Sequence, residues 1–344
     1  MNKVRQAVIM VGGKGTRLRP LTDTRPKPIL PVLDKPCLMY LIESLARAGI
    51  SEIILACGYK SEKMAYEIGN GGNLGIDIEY SYENQPMGTA GAIKLLEDRL
   101  EDTFVAVNGD VFADINVTKE IEIHRKTRAI VTLALTQVEN PCEFGIARTD
   151  EGGRILEFKE KPRPEEAFSN LINAGVYVVE KRALSDVPKG QMFDFSKELL
   201  PILLNRGERI QSYNLDGMWR DVGRPADLLG ANLDMAEKRF KEKVWNGTNL
   251  SGSEITKPFY AGKGTTVTNT ILNAVIVLEE SFIRDSILKR SMVMKNCSID
   301  SAEISGSILG EGCMVHSGAV IIDSVLGDGT VIEQNVRMEG NEIL

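Results

Sequence analysis

Four cationic side chains, Lys14, Arg17, Arg19 and Lys27, crowd around the glycines of Gly12-Gly13-Lys14-Gly15. Glycine leaves its N–H groups open to a ligand, and successive N–H groups turned inward form an anion-binding nest. Cations around such a nest suit a polyphosphate. Two carboxylates extend the pattern. Asp110, in Asn108-Gly109-Asp110, follows an apolar run, where a carboxylate can hold Mg²⁺. Asp221 lies in Trp219-Arg220-Asp221-Val222-Gly223-Arg224-Pro225, just before an expected helix. Taken singly, Gly-Asp is a common turn and Asp221 suits a helix N-terminus. Together and beside a phosphate loop, the two read as Mg²⁺ ligands. The chain has two histidines, and neither falls in these stretches.

Two better-known glycine loops do not fit. A dinucleotide fingerprint needs a third glycine at the start of a helix, whereas Gly13-Lys14-Gly15-Thr16-Arg17-Leu18 lacks it. Pro20, Pro26 and Pro28 also rule out a crossover helix immediately afterwards. A Walker A loop ends in Gly-Lys-Ser/Thr, a triplet absent from the first hundred residues. A basic surface turn is the bland alternative.

The elements that must hold these residues follow from periodicity. Ala7–Val11 is an apolar strand entering the glycines. Residues 36–48 place Leu38, Leu41, Ile42 and Leu45 on one helical face, with Gly49 as the cap. Strands at 53–57, 76–82 and 103–107 alternate with helices near 61–68 and 90–100. That alternation predicts an α/β fold with a mostly parallel sheet flanked by helices, whose ligands sit beyond the carboxyl ends of the strands. Residues 129–137, 145–149, 154–160, 174–180 and 209–214 read as further strands, with helices near 194–205 and over 226–240. Lys241–Asn249 is polar and lacks apolar periodicity, so a linker is expected within 241–259.

From about residue 260 the character changes. Ile271, Val277 and Ile283 recur every sixth residue, as do Ile287, Val293 and Ile299, and then Ile308, Met314, Val320, Leu326, Ile332 and Met338. Six-residue periodicity among small polar residues predicts a parallel β-helix of hexapeptide coils, with the recurring apolar residue filling its axis. The expected domains are therefore 1–240, a linker over 241–259, and 260–344.

Bulk properties narrow the class. The chain has 344 residues, 43% of them hydrophobic and 26% charged, with a net charge of −7. That acidity argues against a general nucleic-acid binder. Five cysteines lack C-x-x-C spacing, which disfavours a zinc site or a disulfide framework. No apolar run has a membrane span's length, and the first residues lack a signal-peptide pattern. A cytoplasmic setting is expected.

Three further stretches carry weaker signals. Glu157-Phe158-Lys159-Glu160-Lys161-Pro162 is a strand edge guarded by charge, or a lysine for phosphate beside a carboxylate for sugar hydroxyls. Asn173-Ala174-Gly175-Val176-Tyr177 sets an amide at a strand start, and Glu143-Phe144-Gly145 offers bare backbone. The full order is glycine loop with G-T-R-L-x-P-L-T, P-K-P, G-T-A, G-D, F-G, E-K-P, N-A-G-x-Y and W-x-D-V-G-x-P. It resembles the sugar-1-phosphate nucleotidyltransferase family over about residues 4–240, and the tail resembles the left-handed β-helix appended to several members. The resemblance implies a nucleotidyl group moved from a nucleoside triphosphate to a sugar-1-phosphate. It implies Gly12, Gly13, Gly15, Thr16 and Arg17 at the nucleotide phosphates, and Gln85, Gly88 and Thr89 at the base. It also implies Lys27 and Lys161 on the reacting phosphates, Gly145, Glu160 and Asn173 around the sugar, and Asp110 and Asp221 on Mg²⁺. Arg17, Lys27, Asp110 and Asp221 are then the catalytic set. Gly88 would let a flat base lie against the backbone.

Within the family, the P-x-G-T-A-G-A form from Pro86 to Ala92 resembles the mannose-1-phosphate guanylyltransferase branch. A glucose-1-phosphate thymidylyl- or uridylyltransferase is the alternative. A glycosyltransferase would use a D-x-D pair, and Asp110-Val111-Phe112-Ala113-Asp114 is not one. A non-catalytic subunit on the same frame would have lost Arg17, Lys27, Asp110 or Asp221. Some hexapeptide tails are acyltransferases that use a histidine; only His316 is available here, so homo-oligomer assembly is the expected role of the tail.

Overall fold

The computed structural model describes residues 3–13, 15–58, 61–83, 85–239 and 247–340. The chain forms two compact units, Met1–Gly13 with Leu38–Trp219, and Lys14–Cys37 with Arg220–Leu344. Lys14, the last residue of the helix expected over 226–240, and residues 241–246 of the expected linker lie outside the described residues.

The first half of the chain alternates strand and helix, as the apolar patterning requires. Its elements are β1 (Gln6–Val11), β2 (Pro31–Val32), β3 (Lys35–Pro36), α1 (Cys37–Arg47), β4 (Glu52–Cys57), α2 (Ser61–Ile68), β5 (Asp77–Tyr82) and α3 (Gly88–Leu95). Next come β6 (Thr103–Asn108), β7 (Val111–Ile115), α4 (Val117–Thr127), β8 (Val131–Gln137), β9 (Gly145–Thr149) and β10 (Ile155–Glu160). The series continues with β11 (Leu171–Glu180), α5 (Leu200–Asn205), β12 (Ile210–Asn214), β13 (Gly217–Asp221), α6 (Pro225–Arg239) and β14 (Glu254–Ala261).

The first unit is organised on a nine-stranded sheet that runs β10-β9-β11-β6-β1-β4-β5, with β8 joined to β11 and β12 to β8. β6, β1, β4 and β5 are parallel, whereas β11 is antiparallel to both β6 and β8. Every residue of β1 is buried, as befits a strand covered on both faces. The parallel strands all point their carboxyl ends the same way, so Gly12-Gly13 after β1 and Asp110 after β6 emerge at one edge. Gly109 belongs there because a Cβ on it would lie 2.4 Å from Val11 Cγ1.

β2, β3, β7, α4 and β13 lie where the sequence reading has no such element. β7 follows the Gly109-Asp110 turn, and α4 starts at Asn116, whose side chain accepts from the Thr118 N–H. The apolar stripe of α4 is thin: Val117 and Ile121 are buried together with Glu120 and His124, so two polar residues complete its inner face. The helix expected near 194–205 is a π-helical turn, Phe195–Leu199, running into α5, and Asp194 caps its first N–H groups.

In the second unit, α6 begins at Pro225, where a proline costs no hydrogen bond. It packs on β14 and on the strand Ile271–Val277. Its buried Asn232 accepts from the Leu33 N–H at 2.8 Å and donates to the Pro31 carbonyl at 3.2 Å. β14 pairs in parallel with Ile271–Val277, and Asn249 bridges Thr266 in parallel, so rung pairing reaches into the stretch read as linker.

The tail is a stack of parallel rungs. Val267, Ile283, Ile299, Val315 and Ile332 form one inward ladder, and Leu272, Leu288, Ile304, Ile321 and Met338 another. The six-residue stripe is thus only partly the core. Ile271 and Met314 are exposed at 42% and 46%, and Ile287 and Val320 are half-buried. Neighbouring strand residues face opposite ways. In Ile271-Leu272, Met314-Val315 and Val320-Ile321, it is the second residue that turns inward. Among the described residues, no helix is long and apolar enough to cross a membrane.

Candidate active site

The glycine loop divides between the two units, and each half has its own geometry. In the first unit, Gly12 and Gly13 are exposed, with nothing within 4 Å of where a Cβ would stand. This is open backbone of the kind a phosphate approaches. Asp110 is exposed at the end of β6. Two residues earlier, the Asn108 Oδ1 is buried and has no hydrogen-bond partner. The Asn108 side chain lies against Gly175, whose φ of +72° and lack of a Cβ make that approach possible.

In the second unit, Gly15 takes the left-handed conformation (φ +61°) and leads into the short turn Thr16–Leu18. The Thr22 hydroxyl closes this turn on the Gly15 carbonyl at 2.9 Å. Lys27 opens a second tight turn between Pro26 and Pro28; its side chain is 9% exposed, with Nζ 3.4 Å from Asp221 Oδ1. A Cβ on Gly223 would stand 3.0 Å from both Arg17 Nη2 and Asp221 Oδ2. Arg17, Lys27 and Asp221 therefore converge, and Gly223 is the residue that lets them. The structure places Thr16 and Arg17 exposed on this loop.

The residues expected around base and sugar lie in the first unit, and several are already engaged. Gln85 is exposed after β5. Gly88 is exposed, and on the side where a Cβ would stand it meets the Phe193 carbonyl oxygen at 2.7 Å. The close approach of residues 191–193 explains both Gly88 and Gly91, whose N–H donates to that same carbonyl at 2.9 Å. The Thr89 hydroxyl accepts from the Phe195 N–H at 2.7 Å, so it fastens α3 to the π-helical turn. Asn173 is also occupied, because its amide donates to the Tyr177 hydroxyl (2.7 Å) and to Ser196 Oγ (2.9 Å) while its oxygen accepts from the Gly175 N–H. These bonds give the N-A-G-x-Y stretch a local reason: Asn173 clamps the irregular part of β11 around Gly175.

Glu160 and Lys161 are freer. Burial, reinforced by Asp194, pushes the Glu160 carboxyl above its usual range. Lys161 is exposed at a left-handed φ of +45°, held by its N–H on the Phe144 carbonyl. A Cβ on Gly145 would clash with Phe158 and Glu160, so glycine is what lets Glu160 lie over the start of β9. The sequence reading passed over the pair Phe144 and Trp219, whose rings meet edge to face at 6.0 Å, with Trp219 Nε1 donating to the Ala174 carbonyl. The aromatic inside W-x-D-V-G was the available signal. A cavity of about 1000 Å³ lined by Lys3, Arg5, His124 and Glu180 opens beside the starts of β1 and β6, at the other end of those strands from Gly12 and Asp110.

Open glycine backbone at the end of a parallel strand in the first unit, and a buried lysine and an arginine beside a carboxylate in the second, are each features that suit phosphate groups. The chain belongs to the nucleotidyl transferase family, which matches residues 6–238, and residues 273–343 match the GlmU-like C-terminal hexapeptide family. Its relatives are sugar-1-phosphate nucleotidyltransferases. It is 41% identical to a mannose-1-phosphate guanylyltransferase of Mycobacterium tuberculosis over 67% of this chain and 64% of that one, so it spans just under two thirds of that relative. It is 30% identical to a UTP–glucose-1-phosphate uridylyltransferase of Synechocystis over 97% of this chain and 85% of that one. Among solved structures, HddC from Yersinia pseudotuberculosis in complex with GMP-PN is similar, at 27% identity and a TM-score of 0.57 over 67% of this chain and all of that one.

Proposed function

We propose that the chain transfers a guanylyl group from GTP to mannose-1-phosphate, giving GDP-mannose and pyrophosphate. The observation that carries the reaction is the convergence of Arg17, Lys27 and Asp221 beside Gly223, with the lysine almost wholly withdrawn from water. A cation in that setting acts on phosphate charge far more strongly than one in solvent. A sugar phosphate oxygen attacks the α-phosphorus, the bond from that phosphorus to the bridging oxygen breaks, and the electron pair leaves with pyrophosphate. The nucleophile is already an anion, so the reaction needs no general base, in keeping with motifs that lack histidine. Arg17 and the open backbone of Gly12 and Gly13 hold the triphosphate, Lys27 takes charge at the reacting phosphate, and Lys161 with Glu160 receives the sugar phosphate. Gln85 faces the base.

Asp110 and Asp221 offer the hard oxygen donors that Mg²⁺ prefers, and the unpartnered Asn108 Oδ1 near Asp110 is a further oxygen in search of a partner. When bound, Mg²⁺ draws charge from the phosphate oxygens and makes pyrophosphate a better leaving group.

The guanine and mannose assignment rests on the Mycobacterium relative and the GMP-PN complex of the Yersinia protein. The Synechocystis relative favours UTP and glucose-1-phosphate as the second reading, because it matches nearly the whole chain, tail included. Measuring kcat/KM for GTP, UTP, dTTP and ATP against each sugar phosphate decides between them. The highest value is expected for GTP with mannose-1-phosphate; a preference for UTP or dTTP with glucose-1-phosphate would replace that choice.

The tail is proposed to assemble copies of the chain into a homo-oligomer. Phe282, Met314 and Val331 are exposed at 57%, 46% and 44% and lie in register on one face of the stack. A second copy is the occupant such a row suits. A cytoplasmic setting fits the nucleoside triphosphate substrate.

A further inference from the structure

One corner of the β-helix carries a column of charged residues, one per rung. Lys263, Glu279, Lys295 and Glu311 stack because the carbonyl of each accepts from an N–H one rung on: those of Glu280, Asn296, Gly312 and Gly329. The signs alternate up to Glu311, and Lys295 Nζ lies 3.6 Å from Glu279 Oε2. The next residue at this corner is Asp328, whose Oδ1 accepts from the Glu311 N–H at 2.9 Å. Two carboxylates thus occupy adjacent rungs, about 4.8 Å apart by strand spacing, where they repel each other.

The cation that reconciles them comes from the other end of the sequence. Arg25 Nη2 lies 2.6 Å from Asp328 Oδ2 and 3.0 Å from Glu311 Oε2, and the Thr24 hydroxyl donates to Asp328 Oδ2 at 2.6 Å. Burial alone would lower the affinity of Arg25 for its proton, but Asp328 and Glu311 outweigh it and raise the pKa above the usual value. Burial would likewise raise the Asp328 carboxyl, yet Thr24, the Glu311 N–H and Arg25 hold it below its ordinary range. A guanidinium 19% exposed at the side chain, shared between two carboxylates, is a fixed joint, unlike a solvated surface pair.

Arg25 stands two residues before Lys27. On the far side of Lys27, residues 31–33 are held by Asn232 of α6. The segment from Arg25 to Leu33 is therefore pinned at both ends, with the buried lysine between the pins. The Asn232 pin belongs to the helix that follows Asp221. The Arg25 pin belongs to the β-helix.

We propose that Asp328 and Glu311 act through Arg25 as positioning residues for Lys27, so that the last rungs of the β-helix set the geometry of the catalytic loop. The inference rests on the proposed nucleotidyl transfer for its kinetic consequence but not for its structural one. It gives the tail a part in each turnover, beyond assembly. It also accounts for the break in sign alternation, since a fifth alternating charge, at position 328, would be a cation and would repel Arg25.

The test uses the full chain carrying Asp328→Asn, Glu311→Gln, Arg25→Gln, Arg25→Lys, or Asp328→Asn with Arg25→Gln. Asparagine keeps the oxygen that accepts from the Glu311 N–H, so the rung itself is preserved, and Glu311→Gln provides a second route if it is not. Amide exchange over residues 22–30 should rise about tenfold in Asp328→Asn and Arg25→Gln, with no change in β1. In the same variants kcat should fall by about 10- to 100-fold, the range of a slight misplacement of a reacting group. The nucleotide KM should stay within about twofold, because positioning acts on the transition state. The double variant should be no worse than Arg25→Gln, and Arg25→Lys should recover part of the loss. Unchanged exchange, faster exchange with kcat intact, or losses that multiply in the double variant would each overturn the proposal. If the wild-type chain transferred no nucleotidyl group, the functional reading would fail, and the exchange result alone would decide the joint.

Discussion

Replacing Lys27 by methionine removes one charge and keeps the stem that runs past Gly15, where a Cβ would stand 3.1 Å from Lys27 Cβ. Two effects oppose each other in the folded state. At 3.4 Å and an effective dielectric of about 20, the attraction between Lys27 and Asp221 is about 5 kcal/mol. Withdrawing an ammonium to 9% exposure costs several kcal/mol in lost hydration. The two nearly cancel, so the variant should melt within a few degrees of the wild type. The transition state has no such cancellation, because negative charge shifts toward the leaving pyrophosphate while the lysine is already in place. Removing one preorganised electrostatic donor typically costs about 3–4 kcal/mol, or about 10²- to 10³-fold in kcat. Pyrophosphate release under saturating GTP and mannose-1-phosphate, with melting followed by circular dichroism, measures both. A variant that changed only KM while kcat held would show that Lys27 binds ground-state nucleotide, and the charge argument would be wrong.

Asp110→Asn and Asp221→Asn should each lower kcat by orders of magnitude with little change in melting temperature, and activity in the wild type should titrate with Mg²⁺; full activity in both variants would remove the metal assignment. Glu120 is buried without a partner for its Oε1, and desolvation holds its carboxyl well above the usual range. The folded state therefore binds the extra proton, and stability should be greatest below the unfolded carboxylate value of about 4.3 and fall as pH rises toward the folded value. Glu120→Gln should flatten that decline in denaturant titrations run at several pH values, and an unchanged slope would show that the carboxyl ionises freely. Phe282→Lys with Met314→Lys should reduce the sedimenting mass of the chain to that of a monomer while leaving the melting temperature of the rungs intact; an unchanged mass would move the assembly surface elsewhere.

The parts of the fold that could be read beforehand are those where one physical signal acts alone. β1, β4 and β6 are continuous apolar runs, α1 has a full stripe, and the hexapeptide period announces the β-helix. α4 was not legible because Glu120 and His124 take places on its inner face that apolar residues usually hold. The inward residue of the β-helix was misassigned at Ile271-Leu272, Ile287-Leu288, Met314-Val315 and Val320-Ile321, while Val277, Val293, Leu326 and Ile332 do turn inward, since a period of six cannot say which of two adjoining apolar residues fills the core. The candidate site divides along similar lines. Arg17, Lys27 and Asp221 are brought together as their chemistry suggested. Gly88, Thr89 and Asn173, by contrast, are explained by neighbours distant in sequence, namely Phe193, Phe195 and Ser196. Such contacts leave no trace in a local motif. Arg25 was invisible for the same reason, because its carboxylates lie near the far end of the chain.

The central claim concerns where the α-phosphate goes. GTP labelled at the α-phosphorus, incubated with the protein, Mg²⁺ and mannose-1-phosphate, should yield label in a nucleoside diphosphate sugar, with one pyrophosphate released per labelled product and none formed without the sugar phosphate. Label recovered as GMP or GDP without dependence on the sugar phosphate would make the chain a hydrolase, and no turnover with any pairing of nucleoside triphosphate and sugar phosphate would contradict nucleotidyl transfer itself.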